Sequence, residues 1–146
     1  MSNPSMSNPS MSNRNIVERA LECFADPGRR SAYFDLYSED AVLHGYEGVN
    51  PGIESIKQFY AGIWSAFPDA RVNLEDVIEL ADKVVLRFVM TGTHRGPILG
   101  VAPTGKSIRL PGMTILRFQN GKCVERWSVA DFLSVLAQLG GLPQSK

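Results

Sequence analysis

The amino-acid sequence predicts an α+β fold in which helices cover one face of a curved, conical antiparallel sheet. Two observations support this class. Apolar residues recur with helical spacing in the first half of the chain, up to Pro68. The second half instead contains long runs rich in β-branched residues, and one helical segment follows them. A sheet that curls around a helix forms a cone, and the mouth of such a cone is a natural ligand cavity.

The composition narrows the class of protein. The chain has 146 residues, which favours one domain large enough to bury a core and a cavity. Its 15 acidic and 15 basic side chains balance, so charge gives no reason to expect nucleic acid or an anionic membrane as a partner. The two cysteines lie far apart and show no metal-ligand spacing. We therefore expect a cytoplasmic protein with free thiols.

The first residues repeat the unit MSNPS and contain almost no apolar side chains. Such a segment cannot bury enough surface to offset its ordering entropy. Residues 1–12 are therefore predicted to be a disordered tail, and residues 13–142 a single domain. At the start of this domain, Asn13 or Asn15 is the predicted cap of a first helix.

The next segments predict two helical pieces around a short strand. Residues 31–40 are predicted to be helical, and residues 41–45 to form the strand. The clearest helix has Asn50 as its predicted cap, Pro51 in its first position and Phe67 at its end. On its apolar stripe, Tyr60 and Trp64 are predicted to line the cavity, because each combines a polar tip with a large apolar body.

Two hairpins are predicted in the second half, with turns at Ala81–Asp82 and Gln119–Gly121. A three-residue second turn would pair Trp127 with Met113, and a two-residue turn would pair it with Thr114. In either register Asp131 shares a face with Trp127, and we expect that apolar face to line the cavity. Asp131 also precedes a helical segment, so it is a candidate helix cap. Ser134 stands where a capping box would need Glu or Gln.

Four stretches carry a resemblance to a known family. They are YSEDAVLHG, FPDARVNLEDVIELADKVVLRFVMTGTHRG, LGVAPTGKSI and ILRFQNGKCVERWSVADFLSVLAQLG. Taken together they resemble the SnoaL-like polyketide cyclases, over about residues 15–140. That family belongs to the nuclear-transport-factor-2-like superfamily of conical α+β barrels, also described as cystatin-like. A fold with many activities does not by itself establish one.

The resemblance implies an activity and partners. It implies that Asp131 is the general acid/base for an intramolecular aldol ring closure in an aromatic polyketide ester, without metal or cofactor. The proton to be removed lies between carbonyl groups and is already acidic, so the base needs chiefly the correct position. The resemblance also implies a homodimer or homotetramer that covers the open sheet face. The apolar side chains expected on that face are Leu86, Phe88, Leu116 and Phe118.

Three further side chains are candidates for the cavity, with simpler roles open for each. His44 could hydrogen-bond a substrate carbonyl or orient Asp131, or be satisfied by the backbone. Met113 and Trp127 are either cavity wall or core. His94 is expected to tie the long loop after it to the sheet. Two histidines without ligand spacing do not predict a metal site.

Other functions of the same fold remain open. An isomerase of the ketosteroid type would need an aspartate where His44 stands. An epoxide hydrolase of the limonene type would need an Asp–Arg–Asp set, for which Asp76, Arg87 and Asp131 are the available residues. Arg87 is either an outward strand charge or the buried partner of a carboxylate. A domain that binds a small apolar molecule without catalysis is the remaining class.

Overall fold

The computed structural model describes residues 11–142. Most of the predicted disordered tail, residues 1–10, lies outside this part, so its disorder stays a prediction. Ser12, which the tail prediction included, is the N-cap of the first helix. Its hydroxyl accepts a hydrogen bond from the Asn15 N–H at 3.1 Å. The predicted caps Asn13 and Asn15 are therefore wrong by one position or more, and regular structure begins at the serine.

The described chain confirms the α+β class and forms a curved sheet that is not closed. The helices and strands follow the chain in this order: α1 (Asn13–Phe24), α2 (Arg30–Tyr33), a 3₁₀ turn (Phe34–Leu36), β1 (Tyr37–His44), α3 (Ile53–Ala66), β2 (Arg71–Leu80), β3 (Lys83–Thr93), β4 (Ser107–Gln119), β5 (Lys122–Ala130) and α4 (Phe132–Gln138).

The sheet has the strand order β1-β5-β4-β3-β2. Strands β2 to β5 form the predicted antiparallel meander, whereas β1 joins β5 in parallel. The predicted helix over residues 31–40 is wrong in its second half, because the backbone becomes extended at Tyr37, where β1 starts. The start of α3 also differs: Gly52 with a φ of 108° is its cap, and Asn50 and Pro51 precede the helix.

The β4–β5 hairpin has neither of the two predicted registers. Asn120 and Gly121 have φ values of 52° and 78°, which is the two-residue hairpin turn with positive φ at both positions. A bulge just after Arg117 then shifts the pairing by one residue. As a result Trp127 lies opposite Ile115, and the residues beyond it shift in the same way.

The two faces of the sheet are the reverse of the predicted ones. The inner face, which packs against the helices, carries Arg126 and Ser128 of β5 and Thr114 of β4, all buried. The strand side chains predicted to line the cavity, including Trp127 and Val129, lie on the outer face, where these two are 37% and 76% exposed. The side chains predicted for the open face are instead buried: Leu86, Phe88, Leu116 and Phe118.

His94 directly follows β3 and has the structural role expected of it, because it ties the two ends of the β3–β4 loop together. The imidazole is fully buried, and its Nδ1 accepts a hydrogen bond from the Thr104 N–H at 3.1 Å. The Thr104 hydroxyl lies 3.0 Å from the same nitrogen. Cys23 and Cys123 are both buried and free. Burial raises the pKa of the Cys123 thiol to about 11, which makes it a poor nucleophile.

Candidate functional site

A cavity of about 50 Å³ lies between the helices and the inner face of the sheet. Its wall is largely apolar and aromatic, and one charged side chain, Arg126, contributes to it. The lining residues come from α1, α2, α3, α4, four of the strands and the β1–α3 connection. The apolar ones include Phe24, Ile63, Leu86, Phe88, Met90 and Leu110. This composition is typical of a small-molecule site with one polar anchor.

Arg126 is held in the cavity wall by hydroxyl groups. It is 8% exposed, and its Nε donates to the Thr114 hydroxyl at 2.9 Å. Its Nη1 donates to the hydroxyls of Tyr37, Tyr33 and Tyr60 at 2.6, 3.1 and 3.2 Å. Within residues 11–142 no carboxylate forms an ion pair with this guanidinium. An arginine keeps its proton under these conditions, so the site carries a positive charge.

Three separate elements bring the tyrosines to Arg126. Tyr33 comes from α2, Tyr37 from β1 and Tyr60 from α3. The Tyr37 hydroxyl lies 2.8 Å from that of Tyr33 and 3.4 Å from that of Tyr60. Burial raises the pKa of the Tyr37 and Tyr60 hydroxyls, so both stay protonated near neutral pH and remain able to donate.

Three half-buried aromatic side chains, Tyr46, Phe59 and Phe132, also line the cavity, and we call them the rim cluster. Tyr46 stacks on Phe59 with ring centroids 4.5 Å apart. Phe132 meets Tyr46 edge to face at 5.9 Å. Because these three are partly exposed while Tyr33 and Tyr60 are buried, the rim cluster forms one part of the cavity wall that reaches the surface.

Asp131 lies immediately after β5 and is the N-cap of α4. Its Oδ1 accepts a hydrogen bond from the Ser134 N–H at 3.0 Å, and its own N–H donates to the Pro111 carbonyl at 2.9 Å. The side chain is exposed and does not line the cavity, whereas the next residue, Phe132, does. No group of residues 11–142 donates to its second oxygen, Oδ2. The cap interpretation is therefore confirmed, and one carboxylate oxygen stays available.

Tyr60 is the one predicted substrate-binding side chain that reaches the cavity. Trp64, on the same helix, is not in the cavity wall. Its ring packs against those of Phe24 and Tyr33, at 5.3 and 5.9 Å, and the Arg30 guanidinium lies over it at 5.1 Å. Tyr60 therefore lies where its predicted binding role requires, whereas Trp64 does not.

The other three predicted binding residues, His44, Met113 and Trp127, lie together in an open groove on the outer face. The His44 ring stacks on Trp127 at 5.5 Å, and its Nε2 lies 2.7 Å from the Glu125 carboxylate. This hydrogen bond, followed by one from Arg117, lowers the pKa of Glu125. His44 therefore does not orient Asp131, and the expected position of these three in the cavity wall is wrong.

The buried arginine is also not the one considered from the sequence. Arg87 lies on the outer face, half exposed, with its Nη1 3.9 Å from the Glu75 carboxylate. Asp76 is exposed as well, so the set needed for an epoxide hydrolase does not assemble. The signal that points to Arg126 is its alternation with Trp127 along β5. If the tryptophan faces outward, the arginine must face inward.

Among residues 11–142, no three His, Cys, Asp or Glu side chains lie close enough together to hold a metal ion. In the same range no helix is both long and apolar enough to cross a membrane.

The sequence is similar to known cyclases. The family model of the SnoaL-like polyketide cyclases matches residues 15–139. A relative in Streptomyces galilaeus, the aklanonic acid methyl ester cyclase AcmA, is 33% identical over 72 residues. That match covers 49% of this chain and 50% of AcmA, so it spans about half the length of the relative.

Solved structures show the same fold. AclR of Streptomyces galilaeus, described as a "putative hydroxylase", has a TM-score of 0.80 at 27% identity, with 97% of this chain and 87% of AclR covered. IdmH of Streptomyces antibioticus, described as a "putative polyketide cyclase", has a TM-score of 0.78 at 27% identity, with 89% and 99% covered. The family match extends over most of the chain and includes Asp131. By this match, the chain belongs to the SnoaL-like polyketide cyclase family.

Proposed function

We propose that the chain is a cofactor-free, cyclase-like enzyme that closes a ring by intramolecular aldol condensation, with Asp131 as general acid/base. The observation that carries this proposal is the position of the Asp131 carboxylate. One oxygen of this carboxylate is free, and Asp131 directly precedes Phe132 of the rim cluster. Membership in the cyclase family and the similarity to AcmA support the reaction class.

The proposed chemistry needs one carboxylate in two successive states. Oδ2 of Asp131 removes a proton from a carbon between two carbonyl groups of the substrate. The resulting enolate attacks a third carbonyl in the same molecule, a carbon–carbon bond forms, and the protonated Asp131 returns its proton to the new alkoxide. The hydrogen bond from the Ser134 N–H to Oδ1 restricts the rotation of the carboxylate and so helps to position it. The product is an isomer of the substrate.

The size of the cavity limits where a substrate can lie. Ligand pockets for molecules of the size of a polycyclic ester usually measure roughly 300–1,000 Å³, whereas this cavity measures about 50 Å³. A polyketide ester therefore requires the cavity to open, and we place this opening at the rim cluster. Since Phe132 adjoins Asp131, such an opening would expose the reacting part of the substrate to the carboxylate.

The reaction can be tested with the substrate of the relative. Purified protein incubated with aklanonic acid methyl ester is expected to form a product of unchanged mass and altered chromatographic retention, faster than buffer alone. The matched variants are Asp131→Asn and Asp76→Asn, because Asp76 is an exposed aspartate on β2, away from the cavity wall. Saturable binding of the ester without any turnover would instead identify a non-catalytic binding domain.

The outer face supports a second proposal, that two copies of the chain associate through it. A row of paired residues crosses all five strands there: His44, Trp127, Ile115, Val85 and Ile78. Met113 and Val129 extend this apolar area and are 56% and 76% exposed. Both signs of charge flank the row, with Arg117 and Glu125 on one side. A two-fold related copy would cover the apolar area.

Placing a charge within the apolar area of the outer face is expected to separate the copies. Val129→Glu should convert a dimer into a monomer at micromolar concentration, because a carboxylate would be buried without a partner. Sedimentation velocity measures this directly. Leu99→Glu is the matched control, since Leu99 is also an exposed apolar side chain and lies in the β3–β4 loop, off the sheet. A wild-type protein that sediments as a monomer contradicts the proposed association.

A further inference from the structure

The guanidinium of Arg126 is a buried charge without a counter-charge. The side chain is more than nine-tenths buried, and every hydrogen-bond partner it has among residues 11–142 is a neutral hydroxyl. A buried ion is usually paired, and an arginine cannot avoid the cost of burial by losing its proton. The cavity end at Arg126 therefore lacks one negative charge, and the proposed role of Asp131 does not supply it, because that side chain lies outside the cavity wall.

This end of the cavity also has hydrogen-bond donors to spare. Nε and Nη1 of Arg126 have partners, whereas Nη2 has none within the described residues, and Arg126 lines the cavity. The hydroxyls of Tyr33, Tyr37 and Tyr60 form two mutual contacts, which use two of their three protons. Tyr37 lies between the other two hydroxyls. If it accepts from one of them and donates to the other, the hydroxyl at the end of this chain, of Tyr33 or Tyr60, keeps a free proton, and both residues line the cavity.

We propose that Arg126 and the tyrosine hydroxyls around it form a binding site for the carboxylate of a short-chain organic acid. A carboxylate accepts only, and it supplies the negative charge that the site lacks. Its hydrogen bonds to a guanidinium are charge-assisted and therefore stronger than those of a neutral ligand. The site lies at the charged end of the cavity that the ester is proposed to enter, and Asp131 takes no part in it.

The size and wall of the cavity select the rest of the ligand. A volume of about 50 Å³ accommodates a molecule such as acetate or propionate, and it excludes an aromatic acid while the rim cluster is closed. Ile63, Leu86 and Met90 offer apolar contacts to the short alkyl chain and no further charge. The site should thus distinguish a compact carboxylate from its neutral amide by charge, and from a larger acid by volume.

The first test uses the wild-type protein and two ligands of nearly the same shape. Propionate is expected to bind saturably and at least about tenfold more tightly than propionamide, in calorimetric titrations at constant ionic strength. In ¹⁵N–¹H spectra of the guanidinium groups, the signals of Arg126 should shift along the same saturation curve. Equal affinity for the two ligands, or Arg126 signals that do not move at saturating propionate, would overturn the proposal.

Variants then separate this site from the proposed catalytic group. Arg126→Gln should abolish the preference for propionate, and Arg87→Gln, which removes an exposed arginine of the outer face, should preserve it. Asp131→Asn should also preserve it, even though turnover is expected to be lost. Propionate binding that persists unchanged in folded Arg126→Gln protein rejects the site. If that variant does not fold, the two wild-type measurements decide alone.

Discussion

Asp131→Asn is expected to lower the rate of ring closure by about 10²–10⁴-fold, the usual contribution of a general acid/base, and to leave the stability of the fold nearly unchanged. Asparagine cannot take up the proton. It is, however, as good an N-cap as aspartate, and its side-chain oxygen can accept the same hydrogen bond from the Ser134 N–H. The substitution therefore separates the two functions that one carboxylate combines.

Two further variants complete this comparison. Asp131→Ala should lose turnover and also about 1 kcal/mol of stability, because the cap is removed. Asp76→Asn should change neither quantity. Initial rates with aklanonic acid methyl ester and urea denaturation curves measure the two effects separately. A normal rate in Asp131→Asn, together with a destabilised Asp131→Ala, would mean that the aspartate is only a helix cap.

Gly45→Ala is expected to destabilise the fold by more than about 3 kcal/mol, among the largest effects of a single substitution. Gly45 follows β1 with a φ of 108°, and a Cβ built on it would lie 1.8 Å from the Ser128 carbonyl oxygen. The obstacle is backbone, so no side chain can move to relieve it. Ser128 is two residues from Arg126 on β5. The change would thus disturb the strand that carries the buried charge.

Gly48→Ala is the matched control for this prediction. Gly48 also has a positive φ, 81°, but a Cβ there would meet no atom within 4 Å. We expect this variant to lose only roughly 1–2 kcal/mol of stability, which is the cost of the unfavourable backbone conformation for a residue with a Cβ. Thermal or urea unfolding of the two variants beside the wild type gives the comparison. Equal losses in both would contradict the close contact between Gly45 and β5.

The fold class and the meander could be predicted from the sequence because they depend on local signals. Long β-branched runs and the turn at Asn120–Gly121 act over a few residues. The parallel pairing of β1 with β5 could not be predicted in the same way, since it joins segments about eighty residues apart, as His44 and Trp127 show. The cap at Gly52 was missed because Asn50–Pro51 is by itself a good helix start.

The candidate site was harder to predict because both faces of the sheet are rich in apolar residues. In β5 the outward residues are Trp127 and Val129, and the inward ones are Arg126 and Ser128. Hydrophobicity alone therefore predicts that Trp127 and Val129 face the helices, which is the opposite of the observed arrangement. The inward residues of β5 are polar because Arg126 forms the charged end of the cavity. Asp131 was identified through the resemblance to a family, and its position next to the cavity wall became clear only from the structure.

The most direct test of the proposed function is a crystal structure of the Asp131→Asn variant with aklanonic acid methyl ester bound, since this variant should bind the ester and not convert it. We predict that the side chain at position 131 lies about 3–3.5 Å from the carbon between two carbonyl groups. Tyr46, Phe59 and Phe132 should be displaced from their mutual contacts. An ester bound in the outer groove beside Trp127, with the side chain at position 131 turned to solvent, would contradict the account.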